Sequence, residues 1–120
     1  MAEHRSRWRV TAQLDQCVRS CMECQNVCHA TIQHRLRQGG RYANPEHLDL
    51  LRECADACGR AAEAVAGDLP NVREACLACA DICDRCASDC TSFGDDPQMR
   101  ACAQSCRVTA MLCRSVAEAV

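Results

Sequence analysis

Apolar positions recur along this chain with gaps of three and four residues, and four separate stretches keep that rhythm. The first stripe is Val10, Leu14, Cys17, Cys21, Cys24 and Cys28. The second is His47, Leu51, Cys54, Cys58, Ala61 and Val65. The third is Cys76, Cys79, Cys83, Cys86 and Cys90, and the fourth is Met99, Cys102, Cys106, Thr109, Cys113 and Val116. The gaps in the third run are 3, 4, 3, 4, so on an α-helix its five side chains fall on one face. A bundle helix normally fills such a face with Leu, Ile and Val. Here it carries sulfur.

The breaks between stripes carry helix punctuation. A first helix is predicted from about Ser6 to Gln38, ended by Gly39-Gly40. Its stripe continues through Thr31 to Arg35, which are too polar for a core, so the buried seam is expected to fray just after Cys28. Asn44-Pro45 supplies an N-cap followed by proline in the first turn, and a second helix runs from there to about Ala66. After the turn Gly67-Asp68-Leu69-Pro70, a third helix runs from about Asn71 to Phe93 and is closed by Gly94. Asp96-Pro97 repeats the cap-and-proline start for a fourth helix over residues 97–119. Four helices with short connections predict an all-α, antiparallel up-down-up-down four-helix bundle with a cysteine-lined core. Its core-forming helices are each roughly 30 Å long. The 120 residues suit one domain, 1–120.

Composition sharpens this picture. Fourteen cysteines contribute to the 48% hydrophobic content, whereas Trp, Tyr and Phe occur once each. Thiols pack as small hydrophobes, but a core of thiol and Ala is expected to stay loose until something binds. The net charge is −2, from 14 arginines, no lysine and 16 acidic residues. No basic face with interleaved aromatics appears, which argues against nucleic acid. Nothing in the chain has the length and apolarity of a transmembrane span or an export signal. A cytoplasmic location with reduced thiols is the expectation. Small disulfide scaffolds are loop-rich, and this chain is helix-patterned throughout.

A tube of thiols selects soft metal: Cu(I), Zn or iron–sulfur clusters. Zn closes tetrahedrally on four ligands, commonly on turns, and 14 cysteines do not divide into fours. Iron–sulfur motifs wrap a compact cluster with a loop, which a straight helix cannot do. Cysteines at i,i+3 and i,i+4 lie about 5–6 Å apart at Cβ. They can close on Cu(I), which accepts two or three thiolates and tolerates bridging sulfur. Counting soft-ligand sites gives about one Cu(I) per cysteine, or roughly 14 per chain. An iron–sulfur protein, a Zn or general soft-metal thiolate buffer, and a copper chaperone remain the alternatives. No nucleophile–base arrangement points to an enzyme.

The runs C-A-D-A-C (54–58) and C-L-A-C-A-D-I-C-D-R-C-A-S-D-C (76–90), together with the in-register stripes around them, resemble the bacterial copper storage proteins, and the lack of an export signal resembles their cytosolic branch. The resemblance spans about Cys17 to Cys113. It implies a four-helix bundle that fills its core with many Cu(I) ions, assembles as a homotetramer and serves storage and detoxification. The ligands it implies are Cys17, Cys21, Cys24, Cys28, Cys54, Cys58, Cys76, Cys79, Cys83, Cys86, Cys90, Cys102, Cys106 and Cys113. Helix two departs from the family pattern with only two cysteines, and Thr109 interrupts helix four.

An antiparallel arrangement gathers Cys28, Thr31, His34, Arg35, His47, Cys54, Cys90, Phe93, Met99 and Cys102 at one end. Val10, Leu14, Cys17, Val65, Leu69, Val72, Cys76, Cys113 and Val116 gather at the other, which reads as an apolar plug. Copper is expected to enter at the polar end past His47 and Met99, although His47 also suits a plain helix-start role and Met99 a packing role. His29 and His34 fall off the stripe and read as surface residues. His4 is expected to be disordered. Trp8 is expected to staple the N-terminal turn or an oligomer contact, and Met22 and Met111 to serve packing or an interface.

Overall fold

The computed structural model describes residues 2–94 and 96–120, with side chains from residue 10 onward. Four α-helices follow in order: α1 Ala2–Gln38, α2 Pro45–Ala66, α3 Val72–Thr91 and α4 Pro97–Ala119. A short 3-10 turn, Gly40–Ala43, lies between α1 and α2, and only its opening at Gly39-Gly40 was legible. The helices pack as a ring, α1 on α2, α2 on α3, α3 on α4 and α4 back on α1. Among the described residues there is no strand, and no helix is long and apolar enough to cross a membrane.

The caps act as the sequence suggests. Asn44 Oδ1 accepts from the backbone N–H of Glu46 at 2.9 Å and of His47 at 3.4 Å. Asp96 Oδ1 accepts from Gln98 N–H at 2.9 Å and Met99 N–H at 3.3 Å. Each satisfies orphan donors of a first turn that opens with proline. Gly39, Gly40 and Gly94 have φ of 67°, 55° and 75°, left-handed conformations in which a β-carbon would be strained. On the α1–α2 seam, Gln25 Nε2 donates to the Ala55 carbonyl at 3.2 Å. It does so across Gly59, where a β-carbon would lie 2.6 Å from that nitrogen.

α1 begins earlier than predicted, and its 37 residues make it far longer than the 20–23 residues of α3 and α4. At 1.5 Å per residue it is about 55 Å long, close to the 58 Å long axis of the molecule. It is longer than any helix it packs against, the others having 22, 20 and 23 residues. Val10, expected in the seam, is exposed, Leu14 is half-buried, and burial begins in earnest at Cys17. His4 falls within the helical backbone rather than a disordered tail; its side chain and that of Trp8 lie outside the described residues. Leu69, expected in the plug, is also exposed.

The seam does not fray after Cys28. Thr31, Ile32 and Arg35 are all buried. Thr31 satisfies its hydroxyl by donating to the Val27 carbonyl at 2.7 Å and accepting from Gln98 Nε2 at 3.0 Å. Arg35, 1% exposed, is covered because aromatic rings take its guanidinium: Cζ lies 4.2 Å from the Phe93 ring centroid and 5.0 Å from that of Tyr42. Nη1 also donates to Gln38 Oε1 at 3.0 Å and pairs with Asp96 at 3.7 Å. Periodicity alone treats Arg as a surface residue, and these partners come from other segments.

Candidate metal centre

Every one of the 14 cysteines is free and buried, and together they line the bundle axis. Contacting sulfurs stand 3.6–3.9 Å apart, nearly twice the ~2.05 Å of a disulfide. These are facing thiols.

Three groups of four place all their sulfurs within 4.8 Å of one another: Cys24, Cys54, Cys58, Cys83; Cys24, Cys28, Cys54, Cys106; and Cys28, Cys86, Cys102, Cys106. Two groups of three do the same: Cys17, Cys76, Cys113 and Cys21, Cys79, Cys113. Cys90 is buried beside Cys102 and Cys86, whose sulfurs push its thiol well above its ordinary pKa. The overlaps matter chemically. The first two groups share Cys24 and Cys54, and the next pair shares Cys28 and Cys106. Closed tetrahedral sites each need four ligands of their own, so these groups cannot all be such sites at once. Bridging thiolates and low coordination numbers let every group be used.

The thiols titrate as linked sets. Cys113 is pushed far up by Cys17, Cys21, Cys76 and Cys79, while Cys17 is held low by an S–H contact from Cys113. Cys76 is drawn down by Cys113, but contact with Cys17 and burial outweigh this and leave it pushed up to about 12. Cys28 and Cys106 are raised too, each first of all by Cys102. An isolated thiolate is thus stabilised by its neighbours' S–H groups, whereas a second one beside it is repelled. A soft cation bound here needs deprotonated ligands and so displaces the remaining protons.

The polar end forms as predicted, with partners that the sequence did not reveal. His47 is buried, its Nδ1 hydrogen-bonded to Asp89 and its Nε2 without a partner among the described residues. Its ring centroid lies 4.5 Å from that of Phe93, so Phe93 carries both His47 and Arg35. Met99 is fully buried. His34 is half-buried, not a free surface residue, and bonds Asp96 at 3.0 Å. Burial acts against ionisation of Asp96, yet hydrogen bonds from His34, the Met99 and Gln98 amides and Gln38 win and hold it at about 2. His29 is exposed, as expected. Met22 and Met111 are exposed, which removes packing as their role. Asp89 carries no spacing signal, because it and His47 meet from different helices.

At the opposite end Val65, Val72 and Val116 are buried, and Arg73 Nη1 donates to the Ala117 carbonyl at 2.8 Å, tying the start of α3 to the end of α4. Thr109 is buried within the α4 stripe and turns its hydroxyl to α1, 2.8 Å from Ser20 Oγ.

A helical bundle whose interior is an unbroken column of thiols is a container for soft metal ions. The chain belongs to the copper storage protein family, whose model matches residues 10–118. It is 34% identical over 101 residues to the Bacillus subtilis cysteine-rich protein YhjQ, covering 84% of this chain and 93% of that protein. The crystal structure of the Nitrosospira multiformis protein Nmul_A1745 superposes with a TM-score of 0.83 at 31% identity, covering 92% of this chain and 99% of the other. The Cu(I)-bound copper storage protein BsCsp3 superposes with a TM-score of 0.81 at 33% identity, covering 88% and 98%. Copper storage is the function of the family, and the buried thiols are the groups here able to hold the metal.

Proposed function

We propose that this chain stores and detoxifies Cu(I) in the cytoplasm, without catalysis, at about one ion per cysteine, or roughly 14 per chain by ligand count. The observation that carries this reading is the overlap of the thiol groups, which calls for a metal that accepts shared sulfur. All 14 cysteines serve as ligands, with loading exchanging thiol protons for copper.

Copper enters at the end holding His47 and Met99. His47 has the arrangement of a metal-binding imidazole: one ring nitrogen is fixed by a carboxylate and the other has no hydrogen-bond partner among the described residues. Met99, fully buried at the start of α4, supplies a soft thioether. The far end carries the buried apolar side chains of Val65, Val72 and Val116. A homotetramer is the assembly we assign, supported by the exposed Met22, Met111, Val108 and Leu77.

Metal exchange tests the cargo. Protein first loaded with Zn, then given excess Cu(I) without oxygen, is expected to lose all its Zn and gain the ultraviolet Cu–thiolate absorption. Retention of stoichiometric Zn supports the soft-metal buffer instead, and acid-labile sulfide in the isolated protein supports an iron–sulfur cluster.

A further inference from the structure

The thiol column is not uniform along its length. Cys24, Cys28, Cys54, Cys58, Cys83, Cys86, Cys90, Cys102 and Cys106 form an upper set of nine toward the His47 end, to which all four helices contribute. Cys17, Cys21, Cys76, Cys79 and Cys113 form a lower set of five, from α1, α3 and α4 alone. The division follows from three positions in the stripes. At the lower level α2 presents Ala61 and Val65 in place of thiols, and α4 presents Thr109, whose hydroxyl is committed to Ser20.

The groups of mutually close sulfurs overlap within each set, the upper through Cys24, Cys28, Cys54 and Cys106 and the lower through Cys113. Among the described residues, both sulfur–sulfur hydrogen-bond contacts that cross between the sets are made by Cys79: 3.7 Å to Cys58 and 3.9 Å to Cys83. Its other neighbours, within 4.8 Å, are Cys21 and Cys113 of the lower set. Cys58 and Cys83 are themselves 3.8 Å apart, so the three sulfurs make a triangle at the boundary.

We propose that the core is two copper compartments joined by Cys79, which passes Cu(I) between them. This rests on the storage reading above. An ion held by Cys58 and Cys83 forms a Cu–S bond to Cys79 as one of its two upper bonds breaks. Bonds to Cys21 or Cys113 then form as the remaining upper bond breaks. The proton leaving each newly bound thiol goes to the thiolate just released, so copper stays Cu(I) and charge is conserved. The alanine, valine and threonine in the lower stripe reduce capacity there, and they also leave one sulfur as the connection.

The test is the time course of anaerobic Cu(I) loading from a chromogenic chelator in the unmodified chain, in Cys79→Ser and Cys79→Ala, and in Cys86→Ser as a control within the upper set. Removing the junction is expected to split loading into two phases, the second slowed about tenfold or more, with amplitudes in proportion to the nine thiols of one set and the four left in the other. Cys86→Ser is expected to lose capacity without splitting. A Cys79 variant that loads in the same single course as Cys86→Ser overturns the junction while storage stands. Saturation of the unmodified chain at a few ions removes the storage reading and the compartments with it. A crystal structure of the unmodified chain at about half loading gives a check independent of any variant's folding. Copper crowded into one set supports the compartments, and copper spread evenly over both overturns them.

Discussion

Filled with Cu(I), the bundle will no longer melt below about 90 °C, in the range that marks hyperstable proteins. The metal-free chain has little to hold it by comparison. Its core is thiols and alanines with Leu48, Leu51, Ile32, Met99 and a few valines, and a domain of this kind is stable by about 5–15 kcal/mol in total. A ligand at a hundred times its Kd adds about 2.7 kcal/mol per site. A dozen such sites exceed the metal-free stability severalfold, and an unfolded chain cannot assemble the bridged groups that bind them. Thermal unfolding followed by circular dichroism, with and without copper under anaerobic conditions, checks this. Loaded and metal-free forms melting within a few degrees of each other would mean that the thiols are not jointly engaged.

Arg35→Ala is expected to destabilise the metal-free protein by about 2–4 kcal/mol and to speed copper release to a chelator about tenfold. Arg35 closes the polar end: its guanidinium lies on Phe93 and Tyr42 and is paired with Asp96 and Gln38. Truncation leaves a hole above the thiols and strips one partner from Asp96, which keeps His34 and Gln38. Two guanidinium nitrogens, Nε and Nη2, are buried without partners among the described residues, a cost that the rings offset. Arg35→Met keeps the stem and discards those donors, so it should recover most of the stability. Denaturant melts and release kinetics on both variants measure the two effects. Arg35→Ala within about 0.5 kcal/mol of the unmodified chain, with unchanged release, would show that Arg35 neither supports nor closes this end.

The helices and their caps were legible because local rules govern them. A 3.5-residue rhythm, two Asx-Pro starts and the glycine stops depend on neighbours in sequence, and α2 and α4 begin and end where those signals place them. The burial of all 14 thiols in one core was legible for the same reason, because they fall on four stripes in register. The polar end was only half legible. His47 and Met99 fell on stripes, but Arg35 breaks the hydropathy pattern. Its burial depends on Phe93, Tyr42 and Asp96, which sequence spacing does not connect to it. Val10 errs in the opposite sense. It keeps the rhythm of α1 past the point where the other helices end, so periodicity continued and partners did not. Thr109 reads in sequence as a missing cysteine, and only its bond to Ser20 shows that the position is committed to joining α1 and α4.

The central claim is that the buried thiols act together as a copper store. The most direct test is an anaerobic titration of the fully reduced protein with Cu(I) against a high-affinity chromogenic chelator. The chelator is expected to stay colourless until roughly a dozen or more ions per chain are bound, about one per thiol. Colour appearing after one to four ions would contradict it, and would make the chain a carrier or sensor with one small site.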